Sequence, residues 1–143
     1  MIIDHIGIVV RSLDQGMEMW EKTFGYTRMT QPVVNTRQRV RVVFLHKEGS
    51  LPVKLVEPAD PGSPVFALAA RGGGFHHVCF RADDMEKALQ HIEQQGGRVI
   101  VRPEPGEAFE NEPIAFVFMN GLPTEIIATD KKAMRIVASE NRK

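Results

Sequence analysis

A chain of 143 residues and 16.0 kDa has room for one domain of ordinary size, and 43% hydrophobic with 25% charged residues is a globular composition. Eighteen basic residues balance eighteen acidic ones and aromatics make up only 7%, which excludes the positive field and stacking surface that nucleic acid or an anionic membrane would need. The single cysteine, Cys79, excludes an internal disulfide framework; with no basic, apolar leader and no apolar run near the roughly 18 residues of a membrane span, a cytoplasmic protein is expected.

In chain order, the first strand is opened by histidine in "DHIGIVV", and Ser12 caps an amphipathic helix with Leu13, Met17 and Trp20 on one face and Gly25 at its end. Two β-rich segments follow, Tyr26–Val33 and Arg39–His46, and then "LPVKLV" (Leu51–Val56). The stretch "EPADPGSPVFALAARGGG" is a linker carrying a short helix, with Ser63 as cap, Pro64 at the first helical position and Gly72–Gly74 at the end. Those glycines precede a strand and open no helix, so they are not a phosphate loop. "HVCFRADDMEKALQHIEQQGG" then supplies a strand opened by His77 and a helix capped by Asp83 or Asp84. The strands Arg98–Pro103, Pro113–Met119 and "LPTEII" (Leu122–Ile127) complete the pattern. The tail after Thr129 reads as a short amphipathic helix or a frayed end.

The chain is written twice. His5–Gly25 lies over His77–Gly97 without a gap, an offset of 72 (77 minus 5), and Leu51–Val56 lies over Leu122–Ile127 at an offset of 71 (122 minus 51). Each copy is β-α-β-β-β. The expected fold is therefore α+β: two paired βαβββ modules, residues 1–58 and 73–129, joined by a linker helix at 59–72 into one domain with a half-open, curved sheet, followed by a tail at 130–143.

The repeat also sorts the polar residues. His77 is the counterpart of His5, and Lys54 of Glu125, so four polar side chains occupy symmetry-related strand positions. His76 corresponds to Asp4, and strict strand alternation sends both to the outer face. Two imidazoles and a carboxylate among Ile, Val, Leu and Phe form a candidate site for one divalent ion, Zn, Co, Ni, Mn or Fe, held by His5, His77 and Glu125. The alternative is that each histidine satisfies a buried backbone group. Lys54 either pairs with Glu125 in a metal-free pocket, acts as a catalytic amine, or extends its head to solvent. Arg37, Arg39 and Arg41 form a basic strand edge that suits a carboxylate or phosphate, or else a solvated face. Cys79 reads as a small core residue, while His46 and His91 are exposed and without a role.

The motifs "DHIGIVV", "HHVCFRADD" and "TEIIATD" resemble the vicinal oxygen chelate superfamily, which includes glyoxalase I, extradiol dioxygenases and bleomycin-resistance proteins. Residues Val53–Ile100 are most similar to methylmalonyl-CoA epimerases. The resemblance spans Ile2 to Thr129 and implies a homodimer with a small-molecule substrate. It also implies metal ligands at His5, position 54, His77 and Glu125, where a glutamine or glutamate is expected at 54 and this chain has Lys54. The glutamate that shuttles the proton in epimerases is missing too: Thr36, Arg37 and Arg39 occupy its region. The leading functional expectation is a metal-dependent epimerase or lyase that enolises a small acyl (acyl-CoA included) or carbonyl substrate, with Glu125 or Lys54 as base and Arg37 and Arg39 binding substrate. A non-haem iron dioxygenase on two histidines and one glutamate is the first alternative, and a metal-free binding protein of the bleomycin-resistance kind the second. The loops Gln31–Arg39 and Pro103–Glu112 are expected to set specificity.

Overall fold

A computed structural model describes residues 1–136. Strand β1 (Ile2–Val9) leads into helix α1 (Leu13–Phe24), where Ser12 Oγ accepts from the Gln15 amide at 3.2 Å and Gly25 closes the helix at φ 75°. The strand expected over Tyr26–Val33 is broken into β2 (Thr27–Arg28) and β3 (Val33–Asn35). Pro32, with no amide hydrogen to give a ladder, lies in the break. β4 (Val40–His46) and β5 (Val53–Pro58) end the first module. The linker helix α2 (Phe66–Ala70) starts later than its Ser63–Pro64 signal, which forms a turn in which Ser63 Oγ accepts from the Val65 amide.

β6 (Gly74–Arg81), α3 (Met85–Gln94), β7 (Arg98–Gly106), β8 (Glu112–Met119) and β9 (Leu122–Ile127) form the second module, with a 3-10 turn at Glu107–Phe109 between β7 and β8. Asp84 is the α3 cap, accepting from the Lys87 amide at 3.0 Å.

The nine strands of the described residues join one open, curved sheet in the order β2-β4-β5-β1-β6-β9-β8-β7, with β3 on β4. The order is mirrored about the β1–β6 pair, which is antiparallel, while β1–β5 and β6–β9 are parallel. α1 and α3 cover the outer face. Leu13 and Met17 pack on Val43, Leu45, Val53 and Leu55, and Leu89 and Ile92 on Ala115, Val117 and Ile126. Each fully buried apolar side chain of this size contributes about 1.5–3 kcal/mol. The inner face carries the third cluster, in which Val9, Phe44, Cys79, Phe109, Ile114 and Ile127 meet Val65 and Ala69 from the linker.

Residues 130–136 form no helix. They run back across the first module, where Thr30 bridges Arg135 and the Gln31 amide donates to the Met134 carbonyl at 2.9 Å. The rest of the tail, residues 137–143, lies outside the described residues. Among the described residues no helix is long and apolar enough to cross a membrane.

Candidate functional site

The mirrored strand order puts β5, β1, β6 and β9 side by side at the centre of the sheet, and each gives a polar side chain to one central cluster. Lys54, His5, His77 and Glu125 thereby converge, with exposures of 3%, 0%, 2% and 0%. Glu125 is the hub. Its Oε1 lies 3.2 Å from His5 Nε2, 3.1 Å from His77 Nε2 and 3.3 Å from Lys54 Nζ, and Lys54 also donates to Oε2 at 3.4 Å. Burial alone would raise the Glu125 pKa, but the Lys54 charge and the bonds from His5 and His77 outweigh it and hold the carboxyl well below its usual range. Burial lowers His77 to about 4, against the opposing pull of Glu125.

The expectation that Asp4 and His76 face outward is overturned, and the cause is a pair of bulges. The β1–β6 ladder pairs Ile3 with Phe80 and then His5 with Cys79, skipping Asp4; further on it pairs Gly7 with His77 and then Ile8 with Phe75, skipping His76. A bulge residue breaks strict alternation and re-aims its side chain. Asp4 is accordingly buried, and its Oδ2 accepts from His5 Nδ1 at 2.7 Å. His76 Nδ1 lies 2.8 Å from His77 Nδ1. Both site histidines are thus oriented through Nδ1 by the residue just before them, so that Nε2 faces Glu125. Both bulges fall at the same repeat position, yet no composition or periodicity signal announces either.

Gly7 was missed as well. It sits opposite His77, and a Cβ there would enter the His77 ring at Cε1, Nδ1 and Nε2. Gly7→Ala is expected to displace that ring and lower stability by about 1–3 kcal/mol. Loss of the most downfield histidine ring signals in an NMR spectrum, together with a lower melting temperature, would check this; an unchanged spectrum would refute it.

The tail supplies a further member that the sequence did not reveal. Lys132 is 5% exposed, and its Nζ lies 3.3 Å from Asp4 Oδ2. Arg81 Nη1 donates to Asp4 Oδ1 at 2.9 Å. Burial opposes ionisation of Asp4, but the His5 bond and the Lys132 charge prevail and lower its pKa. The ammoniums of Lys54 and Lys132 share the same two rings, Phe44 at 5.8 and 5.2 Å and Phe109 at 5.3 and 5.5 Å from the centroids. The Lys54 head therefore does not reach solvent.

The two loops expected to set specificity meet each other. The Thr36 amide and Oγ1 donate to Glu107 at 2.7 and 2.6 Å, the Ala108 amide donates to Asn35 Oδ1 at 2.7 Å, and Gln38 Nε2 donates to Glu104 at 2.6 Å. This latch seats Phe109, fully buried, beside His5 and Lys54. Next to the latch opens an apolar cleft of about 380 Å³, walled by Gln38, Val65, His76, Arg98, Phe116 and Pro123. Gln38 Oε1 is buried there without a partner among the described residues. Arg37 and Arg39 flank Gln38 on the exposed turn; Arg39 is bound by Asp60 at 2.7 Å, and neither lines the cleft. Arg41 is paired with Glu57.

One ring nitrogen each of His5 and His77 and a Glu125 oxygen lie within 4.8 Å of one another. Neighbouring ligands of an ion with bonds of about 2.0–2.2 Å stand roughly 3.0–3.4 Å apart, and the two Nε2–Oε1 distances of 3.2 and 3.1 Å match this, so the donor atoms suit a divalent ion in type. The charges do not. A protonated amine at the fourth ligand position has no lone pair to offer. Two buried carboxylates, Asp4 and Glu125, already face two buried ammoniums, Lys54 and Lys132. A divalent ion about 4 Å from an ammonium meets roughly 8 kcal/mol of repulsion at an effective dielectric near 20. A second set, Asp4, His5 and Cys79, is no better, because burial holds the Cys79 thiol well above its usual pKa and thus protonated.

Known proteins match this architecture. A Bacillus subtilis protein, the uncharacterized YqjC, is 33% identical over 80% of this chain and 81% of its own. The mitochondrial methylmalonyl-CoA epimerase of Dictyostelium discoideum is 27% identical over 87% of this chain and 76% of its own. A Streptomyces coelicolor methylmalonyl-CoA epimerase variant, solved in complex with 2-nitronate-propionyl-CoA, superposes with a TM-score of 0.77 at 30% identity, covering 90% of this chain and 97% of that one. With residues 4–116 also matching the family model, the chain belongs to the glyoxalase/bleomycin resistance protein/dioxygenase superfamily.

Proposed function

We propose that the chain is an epimerase-like enzyme that enolises a small acyl thioester of the acyl-CoA class. The observation that carries this reading is the buried Lys54–Glu125 pair, flanked by two oriented imidazoles, one of which is bonded to His76 on the wall of an apolar cleft. The cleft has room for a short acyl group. Arg98 on its wall and Arg37 and Arg39 on the adjoining turn offer guanidiniums for phosphates of a CoA handle outside it. Acyl-CoA ligands in solved relatives support that substrate class.

Removing the proton next to a thioester carbonyl places negative charge on its oxygen, and a fixed cation in a dry site stabilises that charge far more than water does. Lys54 is that cation. When its ammonium turns from Glu125 to the substrate oxygen, Glu125 loses the largest influence holding it ionised and becomes a stronger base. One movement therefore prepares both the electrophile and the base, and Glu125 then takes and returns the proton. The Phe109 latch must release for substrate to reach the pair, because the cluster is closed in this conformation. The engagement of Glu125 by an ammonium favours this reading over an iron dioxygenase, which needs that carboxylate as a ligand.

The test is exchange of the α-proton of methylmalonyl-CoA and propionyl-CoA in D₂O, followed by NMR. The wild type is expected to catalyse exchange, and Glu125→Gln to slow it by about 100-fold or more. Absence of exchange with every acyl thioester offered would reject the reading. The closure of the cluster favours one second reading, a binding protein that holds an apolar ligand in the cleft without turnover.

A further inference from the structure

We infer that Lys54 replaces the metal ion in this chain, and that the His5–His77–Glu125 set takes up a divalent cation only once Lys54 is removed. This concerns ligand binding alone and stands whether or not the chain turns over an acyl thioester.

Three observations support it. First, Lys54 contacts both oxygens of Glu125, at 3.3 and 3.4 Å, and Oε1 has three nitrogen neighbours for two lone pairs. An ion bound by Glu125 would have to displace the ammonium from one oxygen or the other. Second, the buried charges already balance, Lys54 against Glu125 and Lys132 against Asp4, and the partly exposed Arg81 adds a further cation at Asp4. A divalent cation would leave the cluster with two uncompensated positive charges in a closed pocket. Third, Phe44 and Phe109 present their rings to both ammoniums, giving the lysines a built aromatic seat. A hydrated divalent ion would have to displace this arrangement.

The ligand frame is nevertheless intact. His5 and His77 have their Nδ1 atoms engaged by Asp4 and His76, the outer support that directs Nε2 toward an ion. Lys54 is therefore the obstacle at the ligand position itself, and it makes an opposite-sense prediction: a mutation at the heart of the site should create a binding function.

The experiment compares wild type, Lys54→Gln and Lys54→Gln/His77→Ala, purified without added metal. Metal content is measured by inductively coupled plasma mass spectrometry and affinity by calorimetric titration with zinc and cobalt(II) chloride. Wild type is expected to hold well below one equivalent and to show no saturable binding. Lys54→Gln is expected to hold about one equivalent, to bind at least 100-fold more tightly and to melt at a higher temperature with zinc, all lost when His77→Ala is added. Lys54→Glu provides the same test should the glutamine variant not fold. About one equivalent in wild type that His77→Ala removes would overturn the inference. So would folded Lys54→Gln and Lys54→Glu proteins that both bind nothing. Should neither variant fold, cobalt(II) titration of the wild type decides: a saturable visible spectrum overturns the inference and its absence supports it. A failure of α-proton exchange leaves these results unchanged, so the two readings fail separately.

Discussion

Lys54→Met lowers the stability of the fold by about 3–5 kcal/mol, because removing one partner of a buried ion pair strands the other charge without water or counter-ion. Glu125 is fully buried, so no water takes the place of the lost ammonium. At the scale of a domain this size, the loss corresponds to roughly 10–20 °C in melting temperature. The double change Lys54→Met/Glu125→Met is expected to recover much of it, since replacing a whole buried pair by apolar groups of similar volume is often neutral. Urea denaturation of the four proteins of this cycle measures the coupling. A Lys54→Met protein as stable as wild type would mean that the pair contributes nothing and that Glu125 protonates at no cost.

Acid removes about 3 kcal/mol of stability between pH 6.5 and pH 4. His77 is the main source, and its neighbour His76, also lowered by burial, acts in the same direction. In the unfolded chain His77 binds a proton near pH 6.5, whereas burial keeps it neutral in the folded protein down to about 4. Throughout that interval the unfolded state holds one proton more than the native state, so stability falls with decreasing pH by about 1.4 kcal/mol per pH unit. The interval of about 2.5 pH units (6.5 minus 4) gives the total. Glu125 and Asp4 act in the same direction but lower down. Their folded pKa values are depressed, so their stabilisation is complete above the ordinary carboxylate range and is lost as pH falls below it. Stability therefore begins to decline near pH 6.5 and declines more steeply below about 4.5. Urea melts at pH 7.5, 5.5 and 4.5 check the first interval, and His77→Gln should reduce its slope. A wild-type profile flat from pH 7 to 5 would show that the imidazole is not held neutral.

Evenly spaced features were legible in the residues. The ungapped match of His5–Gly25 with His77–Gly97 is enough to place α1 and α3, their caps at Ser12 and Asp84, and the equivalence of His5 with His77. Because each module has the same connectivity, that equivalence also places the four central strands side by side. The convergence of His5, Lys54, His77 and Glu125 follows from it, as does the opposition of Lys54 to Glu125. Repeat, periodicity and capping are properties of residue order, and residue order suffices to read them.

What the tertiary structure alone decided depends on one-residue departures and on contacts between distant segments. The bulges at Asp4 and His76 turn two residues inward that alternation sends outward, and a bulge is set by the fit of two strands rather than by the residue that bulges. Gly7 has a role only because the His77 ring lies over it. Tyr26–Val33 splits at Pro32, and the tail comes back to pair with Thr30 in that gap. The same return of the tail buries Lys132 against Asp4 across a separation of 128 residues, which no local pattern encodes. Residue order thus fixed which groups share the centre of the sheet. Packing decided that their charges cancel, because an ammonium from the far end of the chain and one from β5 reach the two carboxylates together.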